Sequence, residues 1–131
     1  MSQITASLGR EHYVTHITSP VGNTIISDEP KEKGGEDKGL TPKELLASAL
    51  ASCVCITVRM YADRKEWPLE KIEVTVEYDY DNQTRTSKIV KSIKLYGDLD
   101  EEQKKRMYII AEKLPVSQSL SNPIHMETKH L

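Results

Sequence analysis

Phenylalanine is absent from the 131 residues and tryptophan occurs once, so aromatics make up only 5 % of the chain. A stacking platform for exposed bases is therefore not indicated. Neither sign of charge dominates, since 18 basic and 20 acidic side chains leave a formal net charge of -2. No large field points to nucleic acid or to an acidic membrane as partner. Two cysteines are too few for the disulfide framework of a small secreted protein. The first residues, MSQITASLGREHY, lack a basic-then-apolar signal pattern, and the expected location is the cytoplasm. The most apolar stretch, LLASALASCVCITV at 45–58, runs without a charge but is shorter than the roughly 20 residues that span a bilayer. It reads as a buried core helix. There are no internal repeats, and the length suggests a single domain over 1–131.

What is present has a clear order. Residues 11–28 place β-branched and aromatic side chains on both sides of Ser19-Pro20-Val21-Gly22-Asn23, the pattern of two short strands around a turn. Residues 28–40 are charged and glycine-rich, with no apolar residue before Leu40, and are expected to form a mobile loop. Thr41 then opens a helix as N-cap, with Pro42 at the first helical position and Glu44 completing a capping box. The helix is expected to reach about Lys65. Its middle is apolar or small on every side, the mark of a helix surrounded by protein. One layer of sheet can cover only one face. The small residues Ala47, Ser48, Ala49, Ala51 and Ser52 would let a second copy of the helix approach closely.

Ile72, Val74, Val76, Tyr78 and Tyr80 alternate with polar residues, the period of a half-buried antiparallel strand. Residues 87–96 form its partner, although Lys91 interrupts the apolar alternation of Ile89, Ile93 and Leu95. A second helix is expected over 99–114, capped by Asp98 and Glu101 and ended by Pro115. A helical turn over PVSQSLSN and a final extended piece, IHMETK, complete an α+β domain.

Both thiols lie within the apolar run. A cysteine in an apolar helix is commonly a small inert hydrophobe, but it can also be a reactive thiol. Cys55 does not pair with Cys53, because side chains at i and i+2 diverge by about 200° around a helix. A thiolate metal site is not indicated, since zinc sites of that kind take four ligands and no Cys or His pair has matching spacing. His12 and His16 are four apart, but in a strand that separation is about 13 Å.

Several stretches carry a family resemblance. "GLTPKELLASALASC", then "ITVRMYADRKEWPLEKIEVTVEYD", then "GDLDEEQKKRMYIIAEKLPVSQSL" resemble, in that order, the osmotically inducible protein C (OsmC)-like family, kin to the organic hydroperoxide resistance proteins. The "ISDEPKEKGGEDKG" loop fits one branch of it, and the likeness covers about residues 10 to 131. The resemblance implies an intertwined homodimer with long central helices back to back, flanked by sheets. It implies a thiol-dependent peroxidase acting on organic hydroperoxides, with Cys53 as the peroxidatic thiol and Glu44 as an assisting carboxylate. No cofactor or metal is implied. The family's resolving cysteine lies in a "CPV" element that here reads "LPV", so Leu114 takes its place and an external thiol reductant is required. In the hydroperoxide-resistance branch an arginine upstream of the helix activates the thiolate, and Arg10 is the only arginine before the helix here.

Residue geometry adds constraints. Nine helical residues put Glu44 about 13.5 Å from Cys53 and half a turn round, so an active-site Glu44 would come from a partner subunit. Arg59 and Arg64, six and eleven residues on, are also too far to touch that thiol within one chain. Lys113 is a candidate cation beside the altered element. The alternative to catalysis is a dimer of the same fold that binds a small hydrophobic ligand at the subunit interface.

Overall fold

The computed structural model describes residues 2–131, which divide into two compact units that meet between Leu46 and Ala47 in the sequence. In the first unit, β1 (Thr5–Ser7), β2 (Thr15–Thr18) and β3 (Thr24–Ser27) form an antiparallel meander in the order β1-β2-β3. The expected turn over 19–23 joins β2 to β3. Its Ser19 hydroxyl accepts the Asn23 N–H at 3.1 Å, holding the chain reversal from within. Strand β1 was not expected, because three residues of TAS carry no periodicity to read.

The segment over 28–40 differs from the mobile loop expected of it. Asp28 is 2 % exposed, and its carboxylate accepts four backbone N–H groups, from Tyr13 (3.0 Å), Glu29 (2.7 Å), Glu36 (3.1 Å) and Lys38 (3.1 Å). The chain winds tightly round that anion, with a short 3-10 turn at Lys31–Lys33. At Gly35 a Cβ would collide with the Glu29 carbonyl, and at Gly39 with the Ile26 carbonyl, so glycine is required where the backbone closes. Leu40 returns beside β3 through a parallel bridge to Ser27, whose hydroxyl donates to the Leu40 carbonyl at 2.8 Å.

Helix α1 (Pro42–Arg64) starts at that point, as expected. The Thr41 N–H donates to Glu44 Oε1 at 2.8 Å, and the Glu44 N–H donates to Thr41 Oγ1 at 3.2 Å, which is the reciprocal capping box. By length and composition α1 could cross a membrane. In the protein it presents Leu50, Val54, Val58 and Ala62, four apart, as one buried stripe. The opposite side is open, with Ile56 54 % and Met60 60 % exposed. The chain alone therefore covers one face of this helix, not all of them.

Strands β4 (Leu69–Asp81) and β5 (Thr86–Gly97) form a long antiparallel hairpin with Ile72 opposite Leu95 and Val74 opposite Ile93. These four side chains pack on the cluster made by Val54, Val58 and Ala62 of α1 with Met107, Ala111 and Leu114. Lys91 keeps the alternation instead of breaking it. It lies opposite Val76 on the partly buried side, and its ammonium donates to the Ala111 carbonyl (3.3 Å) and to Ser117 Oγ (3.4 Å).

Helix α2 (Glu101–Glu112) is shorter than the expected 99–114. Its N-cap is Asp100, paired reciprocally with Gln103, and not Asp98 with Glu101. Leu99 first turns inward to the cluster, so the helix begins after it. Helix α3 (Pro115–Ser121) is the expected short turn. No strand forms over IHMETK, where Ile124 and Met126 are exposed and have no strand beside them among the described residues.

Candidate active site

Cys53 lies midway along α1, half-buried, and packs against the apolar cluster. Leu50, one turn earlier, and the adjacent Val54 are both buried. It makes no hydrogen bond among the described residues. Cys55 is also half-buried and free, on the other flank of the helix, and burial pushes its thiol pKa up. That disfavours the thiolate and suits a packing role.

Glu44 sits in the first turn of α1, where its carboxylate already accepts the Thr41 N–H. One continuous helix separates it from Cys53, so the chain does not bring the two together. Leu114, by contrast, is 1 % exposed and belongs to the very cluster that Cys53 packs against. Arg59 pairs with Asp63 at 3.1 Å, and Arg10 is exposed between β1 and β2.

A groove of about 270 Å³ begins at Thr57, one helical turn beyond Cys53, which does not itself line it. Thr57, Met60, Tyr61 and Arg64 line it from the helix, four to eleven residues beyond the cysteine. Ile110, Lys113, Leu114 and Pro115 close the other side. Sequence reasoning did not assemble this groove. The available signal was the spacing of Thr57, Met60 and Arg64 from Cys53, which repeats one helical face. A larger cavity of about 840 Å³ lies past the end of α1, between Trp67, Tyr61 and the start of α2. It holds no thiol and begins eight residues beyond Cys53, so it is not the place for cysteine chemistry. Among the described residues no cluster of His, Cys, Asp or Glu could hold a metal ion.

The family model described as OsmC-like protein matches residues 35–129, which include Glu44, Cys53 and Leu114. The chain belongs to the OsmC-like family. Solved OsmC-like structures share its architecture. A Psychrobacter arcticus protein assigned to osmotic stress induction and detoxification is 24 % identical, with a TM-score of 0.79, covering 95 % of this chain and 89 % of that one. An OsmC-like protein from Mycoplasma pneumoniae is 21 % identical, with a TM-score of 0.77 over 92 % of this chain and 87 % of the other. The organic hydroperoxide resistance protein OhrB of Bacillus subtilis is 26 % identical, with a TM-score of 0.61 over 91 % and 89 %. A comparison of the sequence with curated proteins finds no match.

Within this OsmC-like chain, the family's α+β fold is set by α1 lying on the β4–β5 hairpin. The same packing sets Cys53 against the apolar cluster. The exposed stripe of α1 through Ala49, Ser52, Ile56 and Met60 remains uncovered by the chain's own elements.

Proposed function

We propose that this OsmC-like chain, acting as one domain, is a thiol-dependent peroxidase that reduces organic hydroperoxides at Cys53. The supporting observation is the setting of that thiol, half-buried in the middle of α1 against an apolar cluster that includes Leu114. The Cys53 thiolate attacks one peroxide oxygen, the O–O bond breaks, and the other oxygen leaves with a proton as the alcohol. The sulfur is oxidised to sulfenic acid and the peroxide is reduced. Leu114 has no thiol to condense with that sulfenic acid, so an external thiol must regenerate Cys53. An apolar setting favours organic hydroperoxides over hydrogen peroxide.

Homodimerisation belongs to the same reading. A solvent-exposed stripe carrying Ile56 and Met60 on a helix so apolar is a face awaiting cover. A second α1 laid antiparallel across the small residues Ala47 to Ser52 would bring the partner's helix start, with its Glu44, toward Cys53. The cytoplasm, which keeps thiols reduced, is the matching compartment.

One observation favours the alternative of a non-catalytic dimer that binds a small hydrophobic ligand. Among the described residues no hydrogen-bond donor reaches the Cys53 sulfur. Consumption of cumene hydroperoxide with a dithiol present separates the two. Wild type is expected to turn over and Cys53→Ser to fall to the uncatalysed rate. Equal consumption by both proteins, or no sulfenic acid on the Cys53 peptide, would leave the ligand-binding dimer as the reading.

A further inference from the structure

Lys91 carries a charge into the packed face of the β4–β5 hairpin, where it stands opposite Val76 with its side chain 15 % exposed. A lysine seldom goes there, because the ammonium gives up hydration that only hydrogen-bond acceptors replace. Its acceptors are the Ala111 carbonyl at 3.3 Å and Ser117 Oγ at 3.4 Å. The Glu112 carboxylate, largely exposed, stands further off at 3.9 Å.

The sequence shows why a donor is needed at that point. In a continuing helix the Ala111 carbonyl would accept the N–H of residue 115. Residue 115 is proline, which has no N–H to give. Ala111 is fully buried, so water has no access to that carbonyl either. Helix α2 carries no basic side chain in its own last turn, and α3 has no side-chain cap at Leu114. Lys91 reaches across from β5 and ties the last turn of α2, through Ala111, to the first turn of α3, through Ser117.

Leu114 lies between those two attachment points, and its buried side chain belongs to the cluster on which Cys53 packs. We infer that Lys91 is a positioning residue for the Cys53 thiol, because by tethering the α2–α3 joint to β5 it fixes Leu114 in the apolar wall on which that thiol packs. Its bearing on catalysis rests on the peroxidase reading, while its effect on the surroundings of the thiol does not. Without the tether the Ala111 carbonyl loses its donor, the joint shifts to reach another, and Leu114 moves with it. The wall then admits groups too bulky for wild type, and the preference for organic hydroperoxides over hydrogen peroxide falls.

Lys91→Met and Lys91→Arg test this on a Cys55→Ser background, which leaves Cys53 as the single thiol. Alkylation of Cys53 is followed with iodoacetamide, which is small, and with pyrenyl maleimide, which is bulky. In Lys91→Met the bulky reagent is expected to gain about fivefold on the small one through the loosened joint. Lys91→Arg keeps a donor for the carbonyl and is expected to stay within about twofold of the background protein. Ile72→Val trims a side chain packed on the same cluster, away from the joint, for a similar loss of stability. Its alkylation ratio is expected to stay where it was, which separates positioning from general loosening. The rate ratio of cumene hydroperoxide to hydrogen peroxide is expected to fall at least about threefold in Lys91→Met alone. An unchanged alkylation ratio in Lys91→Met, or an equal change in Ile72→Val, overturns the positioning role whatever the peroxides do. A changed alkylation ratio with no hydroperoxide consumed by any of these proteins overturns the peroxidase reading and upholds Lys91 as the residue that sets the thiol's surroundings.

Discussion

The two compact units are held together in opposite ways. Between residues 2 and 46 only Val14, Ser27 and Asp28 are buried, and two of those three are polar. The organising centre there is an anion surrounded by backbone N–H groups. Between 47 and 131 the buried side chains are all apolar, and α1, β4, β5 and α2 meet on one continuous cluster. An apolar cluster gains from every methylene it excludes from water and tolerates small rearrangements. A carboxylate holding four donors depends on one residue, and its loss strands four N–H groups at once. Substitutions should therefore act broadly in the second unit and locally in the first.

The largest effect is expected at Leu114, which is 1 % exposed in the middle of the apolar cluster. Leu114→Ala leaves a cavity there and should cost about 2–5 kcal/mol. Urea unfolding followed by the fluorescence of Trp67, the single tryptophan, packed on the same cluster, reports it. A loss below about 1 kcal/mol would mean that the cluster collapses around the gap, and the contrast between the units would weaken.

Asp28→Ala sharpens the comparison from the other side. Amide exchange at Tyr13, Glu36 and Lys38 is expected to rise at least about tenfold, while the α1 amides of Val54 and Val58 stay protected. Acid should mimic the variant. Burial pushes the Asp28 carboxyl up, but the four N–H donors outweigh it and hold its pKa below the ordinary value of about 3.8. A carboxyl depressed in the folded state gives stability that is fully present above its unfolded value and is lost as pH falls through the folded one. The loop amides should therefore keep their protection down to about pH 4 and lose it below that. Loss of protection between pH 5 and 7 would assign the loop's order to some other group.

This contrast also explains what the sequence made legible. The strand alternation from Ile72 to Tyr80 and the Thr41–Glu44 box predicted β4 and the start of α1 closely, because each follows from local chemistry. Cys53 stood out by its place in an uncharged run. Asp28 did not, because an acidic residue in DEPKEKGGEDKG resembles its solvated neighbours until the backbone closes round it. The groove was equally hidden, since Ile110 and Leu114 meet α1 only through tertiary packing. Lys91 was visible but misread, since a lysine at an apolar position suggests a register fault when its partners are a carbonyl on α2 and a hydroxyl on α3.

Lys91 is the polar exception inside the second unit, with its side chain 15 % exposed. Its stem lies against the sheet face while the ammonium holds the end of α2 to α3. Lys91→Met keeps the stem and removes the donors, and a cost of about 1 kcal/mol is expected in the same urea experiment. A gain in stability would show that apolar burial there outweighs the two hydrogen bonds, making the second unit still more purely apolar than described.

The smallest expected change in stability is also the most telling for function. Each unit contains a capping box, Thr41 with Glu44 in the first and Asp100 with Gln103 in the second. In the second box an amide does what the Glu44 carboxylate does in the first, so Glu44→Gln should preserve the cap. Only the charge near the helix N-terminus is lost, worth below about 0.5 kcal/mol at an exposed position. If Glu44 is merely a cap, peroxide turnover in Glu44→Gln will match wild type. If it serves Cys53 from a partner subunit, turnover should drop about tenfold with the melting temperature nearly unchanged, as expected for a group assisting proton transfer. The structural role of Glu44 needs only an acceptor and the catalytic role needs a carboxylate, so this one substitution separates them.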